Sequence, residues 1–343
     1  MWTIHQMQRS PLKLPDKSTV YENTVDSHSQ ARDQAAWHVA RMPGGSNLAE
    51  AEKFCRQIAK SHYENFSVCT CLVPERLRQD FANIYAFSRW SDDLGDESES
   101  STEATEKLHQ WRNQLRQCFH GEACHPIFIA LRSTIDRTGL SIEPFDDLVD
   151  AFCQDQVCRV YTTRVQLYDY CRRSANPVGR IVLGLEQCFD SQLIALSDQI
   201  CTGLQLINFW QDIARDFTAG RIYLPEEDRL RWGVSIEELG AKSGSIHFRN
   251  MVKEQVQCVR EMFDEGQALV REAPRSLRPA IGLFLAGGRA VADGIERIQF
   301  DTLATRPVVS RIRKLSFVFQ ALCFRGVEGM IEPMRRIFSK QRR

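Results

Sequence analysis

From Ala49 onward, apolar residues recur every three or four positions, the spacing of a helix that buries one face. Ala49, Phe54 and Ile58 mark the first such face, and Phe81, Ile84, Tyr85 and Phe87 the second. Leu148, Phe152 and Val157 come next, then Ile200, Leu204 and Ile207. No run alternates with period two, so the pattern predicts an all-α bundle of helices joined by short loops.

The breaks between helices are marked as clearly. Pro43-Gly44-Gly45 interrupts the chain, and Ser46 or Asn47 can cap the helix after it. Pro144, Pro177 and Pro225 mark further breaks, Ser98–Thr105 reads as a polar loop, and Met251–Ala273 reads as one charged amphipathic helix ending before Pro274 and Pro279. Three regions are expected: a flexible leader (1–45), one helical domain (46–312) and an amphipathic basic tail (313–343).

Charge adds little at the level of the whole chain. The 343 residues carry 44 basic and 44 acidic side chains, which gives no global argument for nucleic acid or an anionic surface. Twelve cysteines are scattered without a C-x-x-C pair or zinc spacing, as expected of reduced thiols in a cytoplasmic protein. The leader lacks the apolar core of a secretory signal, and no stretch reaches the roughly 18 apolar residues of a membrane span. The tail mixes Phe317, Phe319, Leu322, Phe324 and Ile331 with Arg325, Arg335 and Arg336. It reads either as a packing helix with a solvated basic end or as a peripheral contact at the inner face of the cell membrane.

The chemistry lies in two acidic clusters. In Asp92-Asp93-Leu94-Gly95-Asp96-Glu97, Asp92 and Asp96 share a helix face. Like charges at that spacing repel unless a cation offsets them, and oxygen-only donors suit a hard ion such as Mg²⁺. Asn208, Asp212 and Asp216 repeat the spacing beside the apolar segment Leu204–Trp210. Two such clusters facing one another would hold Mg²⁺ against a diphosphate leaving group, whose departure leaves a carbocation among apolar walls. Candidate walls are Phe66, Tyr85, Phe87, Tyr170, Phe209 and Trp210, since aromatic faces stabilise cations. Arg89, three residues before Asp92, and Arg221 are candidate phosphate ligands, whereas Arg215 reads as an intrahelical partner of Asp212.

These residues carry a resemblance to the squalene/phytoene synthase family over roughly residues 46–300. Tyr85-Ala86-Phe87-Ser88-Arg89 leading into Asp92-Asp93-x-x-Asp96 resembles its first aspartate motif. Gln205-Leu206-x-Asn208-x-x-x-Asp212-x-x-x-Asp216 resembles its second, and Gly220-Arg221-Ile222-Tyr223-Leu224-Pro225 the segment after it. The resemblance implies an isoprenoid synthase-type helical bundle with a central active-site cavity. It implies Asp92, Asp96, Asn208, Asp212 and Asp216 as Mg²⁺-site residues, and Tyr85, Arg89, Arg221 and Tyr223 as contacts to the diphosphate or reacting centre.

Finer similarity lies in His62-Tyr63-Glu64-Asn65-Phe66 and in Tyr170–Arg180, which includes Asn176-Pro177, where a helix ends or kinks and the Asn176 amide can turn toward the cavity. Both segments resemble hydroxysqualene synthases of hopanoid biosynthesis and add His62, Asn65, Phe66, Tyr170 and Asn176 as substrate-binding candidates, beside Gln205 of the second motif. Tyr63 and Asn65 stand where serines are common in the family, and 281–300 lacks a tyrosine that relatives often carry. The implied reaction is Mg²⁺-dependent conversion of presqualene diphosphate to hydroxysqualene, with no nicotinamide, since no G-x-G-x-x-G follows a predicted strand. The alternatives are head-to-head condensation of prenyl diphosphates and a non-catalytic assembly role. Passing an apolar substrate between enzymes implies contact with neighbouring pathway enzymes near a membrane.

Overall fold

The computed structural model describes residues 47–61 and 72–308, and among these every regular element is helical. The leader, the tail and the His62, Asn65 and Phe66 candidates lie outside the described residues. The helices are α1 (Leu48–Ser61), α2 (Glu75–Asp96), α3 (Ser101–His120), α4 (Pro126–Thr138), α5 (Glu143–Val157) and α6 (Arg164–Ser174). They continue as α7 (Asn176–Gly184), α8 (Ser191–Thr218), α9 (Glu226–Trp232), α10 (Ile246–Glu265), the short α11 (Leu269–Glu272) and α12 (Arg278–Arg297).

Two long helices organise the rest. α2 packs against α1, α3, α4 and α5, while α8 packs against α6, α7, α10 and α12. α5 touches α2, α6 and α7, so it joins the two groups. Close approach depends on small residues. A Cβ on Gly203 of α8 would lie 2.7 Å from the Phe263 ring of α10, and one on Gly288 of α12 would lie 2.6 Å from the same ring. A Cβ on Gly179 would collide with Ser197 Oγ, so α7 lies directly on α8.

Helix ends follow the local chemistry. Asp190 caps α8 by accepting from the backbone N–H groups of Gln192 (2.9 Å) and Leu193 (3.0 Å). Pro177 sits in the first turn of α7, where its missing N–H costs nothing, so Asn176-Pro177 separates two helices. Two boundaries differ from the sequence reading. Ser100 caps α3 by accepting from Glu103 N at 3.2 Å, so the second half of the expected polar loop is the helix's first turn. The single helix expected over 251–273 instead starts at Ile246 and ends at Glu265, and a 3₁₀ turn from Gly266 leads into α11. At Gly266 a Cβ would press within 2.5 Å of Ile200, a proximity to α8 that periodicity does not register.

The aromatic core near α2 is structural. Phe87 stacks on Trp111 at 6.0 Å and meets Phe145 edge-on at 5.4 Å, and Trp111 donates its indole N–H to Ser91 Oγ at 2.9 Å. His125 caps α4 by accepting from Ile127 N, beside the Trp90 and Trp111 rings, and burial pushes its imidazole down to about 4. The unfolded chain therefore binds a proton that the fold refuses. Stability should be full above about pH 6.5 and fall between 6.5 and 4, by about 1–2 kcal/mol after allowance for partial exposure. Urea unfolding at pH 7.5 and pH 4.5 checks this: His125→Asn, which keeps a capping side chain, should shrink the difference, and an equal difference in the variant counts against it.

Candidate active site between the two long helices

On α2, the positions Ile84, Ser88, Asp92 and Asp96 succeed one another at four-residue spacing, forming one stripe along the helix. On α8, Ile200, Leu204, Asn208, Asp212 and Asp216 do the same. Each stripe begins in an apolar cleft and ends in carboxylates. Phe81, Ile84 and Ser88 of α2 line the cleft, with Leu148 of α5, Val178, Ile181 and Val182 of α7, Ile200, Cys201 and Leu204 of α8, and Ile281 and Phe284 of α12. The cleft encloses about 1070 Å³, counting its open side.

The first cluster lines a second, polar cavity. Asp92 and Asp96 share it with Asp155, Arg159 and Arg221. Asp92 is buried, and Arg89 donates to it at 3.1 Å while also pairing with Asp93. Burial, with Asp96 close by, nevertheless pushes the Asp92 carboxyl well above the usual range. Burial pulls the Arg89 guanidinium down, but the Asp93 and Asp92 carboxylates outweigh it and raise it. Tyr85, one turn before Arg89, is buried and pushed up to about 12, chiefly by desolvation, so it is a neutral phenol.

The second cluster is also buried and is met by arginines. Asn208, Asp212 and Asp216 expose 1%, 8% and 5% of their surface, which places charged groups where an unpaired carboxylate is costly. Arg221 reaches Asp216 at 3.8 Å. Because Arg221 also lines the polar cavity, it connects the two clusters. Arg215 lies 3.5 Å from Asp212, the intrahelical pairing expected. The main partner of Asp212 is Arg306, which donates through Nε and through Nη2 at 3.0 Å. Gln211 Nε2 holds the Pro307 carbonyl at 2.5 Å, fixing that segment over α8.

Next to these groups stands an aromatic cluster. Phe209 and Tyr223 stack at 3.8 Å with ring planes 4° apart, Tyr161 lies 5.7 Å from Tyr223, and Tyr170 lies 5.6 Å from Tyr161. Tyr170 is fully buried and donates its hydroxyl to Asp155 at 2.9 Å. Gln205 is buried, and neither polar atom of its side-chain amide has a hydrogen-bond partner among the described residues.

Several expectations change. The cleft is walled mostly by aliphatic side chains. Phe87 belongs to the core near α2, Trp210 is buried and does not line the cleft, and Tyr170 and Phe209 pack with Tyr161 and Tyr223. The Asn176 side-chain Oδ1 accepts from Thr202 Oγ1 at 2.9 Å, and Asn176 is not among the residues lining the cleft, which its neighbours Ala175 and Val178 line. Asp155, Arg159 and Arg306 were missed. Asp155 has no acidic partner at helical spacing that faces the site, and Arg159 and Arg306 are single cations outside any motif.

No group of three or more His, Cys, Asp or Glu side chains among the described residues is close enough to hold one metal ion. Paired carboxylates with room beside them still fit Mg²⁺, which takes few protein oxygens and completes its shell from phosphate and water. If so, Asp92→Asn should raise the melting temperature of the metal-free protein at pH 7, because it removes a carboxylate that is unfavourable there, and should cut any rise on adding Mg²⁺. A thermal scan with and without added Mg²⁺ decides it; a lower metal-free melting temperature in the variant contradicts it.

Comparison with known proteins supplies the family. The family model for squalene/phytoene synthase matches residues 59–313. The structure aligns with a squalene synthase HpnC from Alicyclobacillus acidocaldarius at a TM-score of 0.71 and 40% identity, covering 74% of this chain and 95% of that one. A dehydrosqualene synthase solved with a ligand aligns at a TM-score of 0.72 and 23% identity, over 82% of this chain and 98% of its own, a likeness of fold. In sequence, the chain is 30% identical to a 15-cis-phytoene synthase of Synechococcus elongatus, over 79% of this chain and 92% of that protein. The stripes on α2 and α8 and these matches agree: the chain belongs to the squalene/phytoene synthase family.

Proposed function

We propose that the protein converts presqualene diphosphate to hydroxysqualene, with Mg²⁺ and with release of diphosphate. The observation that carries this reading is the paired stripes, which run from an apolar cleft to carboxylates on both α2 and α8. One end suits a long hydrocarbon and the other a charged leaving group. The finer choice of reaction is supported by the sequence of His62–Phe66 and Tyr170–Arg180, and by 40% identity to the HpnC protein.

Asp92, Asp96, Asn208, Asp212 and Asp216 are the oxygen donors that would hold Mg²⁺, which supplies positive charge to a departing diphosphate. Arg306 provides a counter-charge for Asp212. Arg89 and Arg221 place guanidinium groups beside the two clusters, where they bind phosphate oxygens and discourage the diphosphate from recombining. The aliphatic walls hold the hydrocarbon and exclude bulk water, so the carbocation persists long enough to rearrange. The neutral phenol of Tyr85, beside Arg89 and the first cluster, presents no basic group that would deprotonate the cation early. One admitted water then adds to the cation, and its proton passes to the diphosphate.

The second reading is head-to-head condensation of prenyl diphosphates, favoured by similarity to the 15-cis-phytoene synthase. Purified protein with Mg²⁺ and no nicotinamide, given presqualene diphosphate and farnesyl diphosphate separately, distinguishes the two by mass spectrometry. Hydroxysqualene is expected from the first substrate, whereas presqualene diphosphate formed from the second moves the protein to the condensing reaction. Asp92→Asn and Asp212→Asn should each lower turnover about 10³-fold, roughly 4 kcal/mol of lost charge stabilisation, with helical content unchanged by circular dichroism. Turnover close to wild type in both variants would overturn the assignment of these carboxylates.

A further inference from the structure

Arg159 differs from arginines of α3 and α6, the helices packed against α5, in lacking a side-chain partner. Arg112 pairs with Asp146 and Asp150, Arg173 with Asp150 and Asp169, and Arg164 with Asp228 and Glu254. Arg159 lines the polar cavity with Asp92, Asp96 and Asp155, yet its guanidinium makes no hydrogen bond or ion pair among the described residues. The cavity around it, about 950 Å³ counting its open side, keeps that cation and the carboxylates apart.

Its backbone is fixed although its side chain is not. Ile222 N donates to the Arg159 carbonyl at 2.8 Å, and Val160 and Ile222 form a parallel bridge. Glu226 N donates to Tyr161 O at 2.9 Å, and Glu227 N to Thr162 O at 3.1 Å. These bonds hold 159–162 alongside 221–227, so Arg159 and Arg221, 62 positions apart, line the same cavity. A ligand that fills the space between these two arginines and the aspartates Asp92, Asp96 and Asp155 must offer anionic oxygens to the first, and through a divalent cation to the second.

We infer that Arg159 is a further binding residue of this site and forms, with Arg221, a two-arginine clamp for a diphosphate group. The inference rests on the functional reading only in placing a diphosphate in the polar cavity. The diphosphate is either the one on the intact prenyl substrate or the free inorganic diphosphate left after ionisation. Being exposed, the Arg159 contribution should weaken with salt.

Calorimetric titration of inorganic diphosphate with Mg²⁺ tests the clamp without turnover, so its failure is separable from failure of the presqualene reading. Arg159→Ala should weaken that binding about 10-fold at low salt, as expected for losing a charge-assisted contact. Arg159→Lys should lie between, because a point charge replaces a fork. The melting temperature should stay within about 1 °C of wild type, as expected for an exposed side chain without contacts. Arg172→Ala, which removes an equal charge paired to Asp169, is the control and should bind as wild type does. In the kinetic arm, a raised KM for presqualene diphosphate with kcat within about twofold assigns the clamp to the intact substrate as well, on the ground that ground-state contacts act on KM. Weaker inorganic diphosphate binding with an unchanged KM assigns it to the departed group alone. Affinity and KM both within about twofold of wild type in Arg159→Ala, on the same scale, would overturn the clamp.

Discussion

Carboxylates that repel one another beside an apolar cleft are the constraint on which the rest of this structure depends. Asp92 is buried with Asp96 one turn away, and Asp212 and Asp216 are both buried on the facing helix. Left alone, such groups would be strongly unfavourable. The fold answers with Arg89 against Asp92 and Asp93, Arg221 against Asp216, and Arg306 against Asp212. Even so, the Asp92 carboxyl remains pushed above its ordinary range. The compensation is therefore incomplete where the polar cavity opens, which is where an added cation would be most favourable.

The same constraint explains why the packing around α8 is so close. The helix must carry polar groups at one end of its stripe and line an apolar cleft at the other, so neighbouring helices have to hold its path rigidly. Gly179 lets α7 lie on it, and Gly203 and Gly288 admit the Phe263 ring of α10 between α8 and α12. A shift of about one ångström in such a helix would move every carboxylate on it, a displacement large enough to matter for positioned chemistry. The loops on the open side are held by backbone bonds instead. The short ladder between 159–162 and 221–227 fixes where Arg159 and Arg221 begin, while leaving the side-chain end of Arg159 free.

The helical class, both acidic clusters and the arginines within the motifs were legible because each is a local pattern. Asp92 with Asp96, and Asn208 with Asp212 and Asp216, follow from 3.6 residues per turn alone. The aromatic assignments fared worse, because helical spacing says that Phe87 and Trp210 are buried but not on which side of the helix their neighbours lie. The break in the expected 251–273 helix was missed for a related reason. The close approach of Gly266 to Ile200 is a tertiary fact about two segments more than sixty residues apart.

The sequence by itself determined which helices form, which of their positions carry oxygen donors, and the family to which those motifs belong. Short-range periodicity and side-chain chemistry are enough for that. Only the tertiary structure decided that the apolar cleft is walled mostly by aliphatic groups, that Asn176 turns its side-chain amide oxygen to Thr202, and that Arg306 meets Asp212 from 94 positions away. It alone brought Asp155 and Arg159 into one cavity with the first cluster. Contacts of that kind depend on how helices cross and where loops return, and a single chain's local pattern does not encode the distance between segments it has yet to bring together.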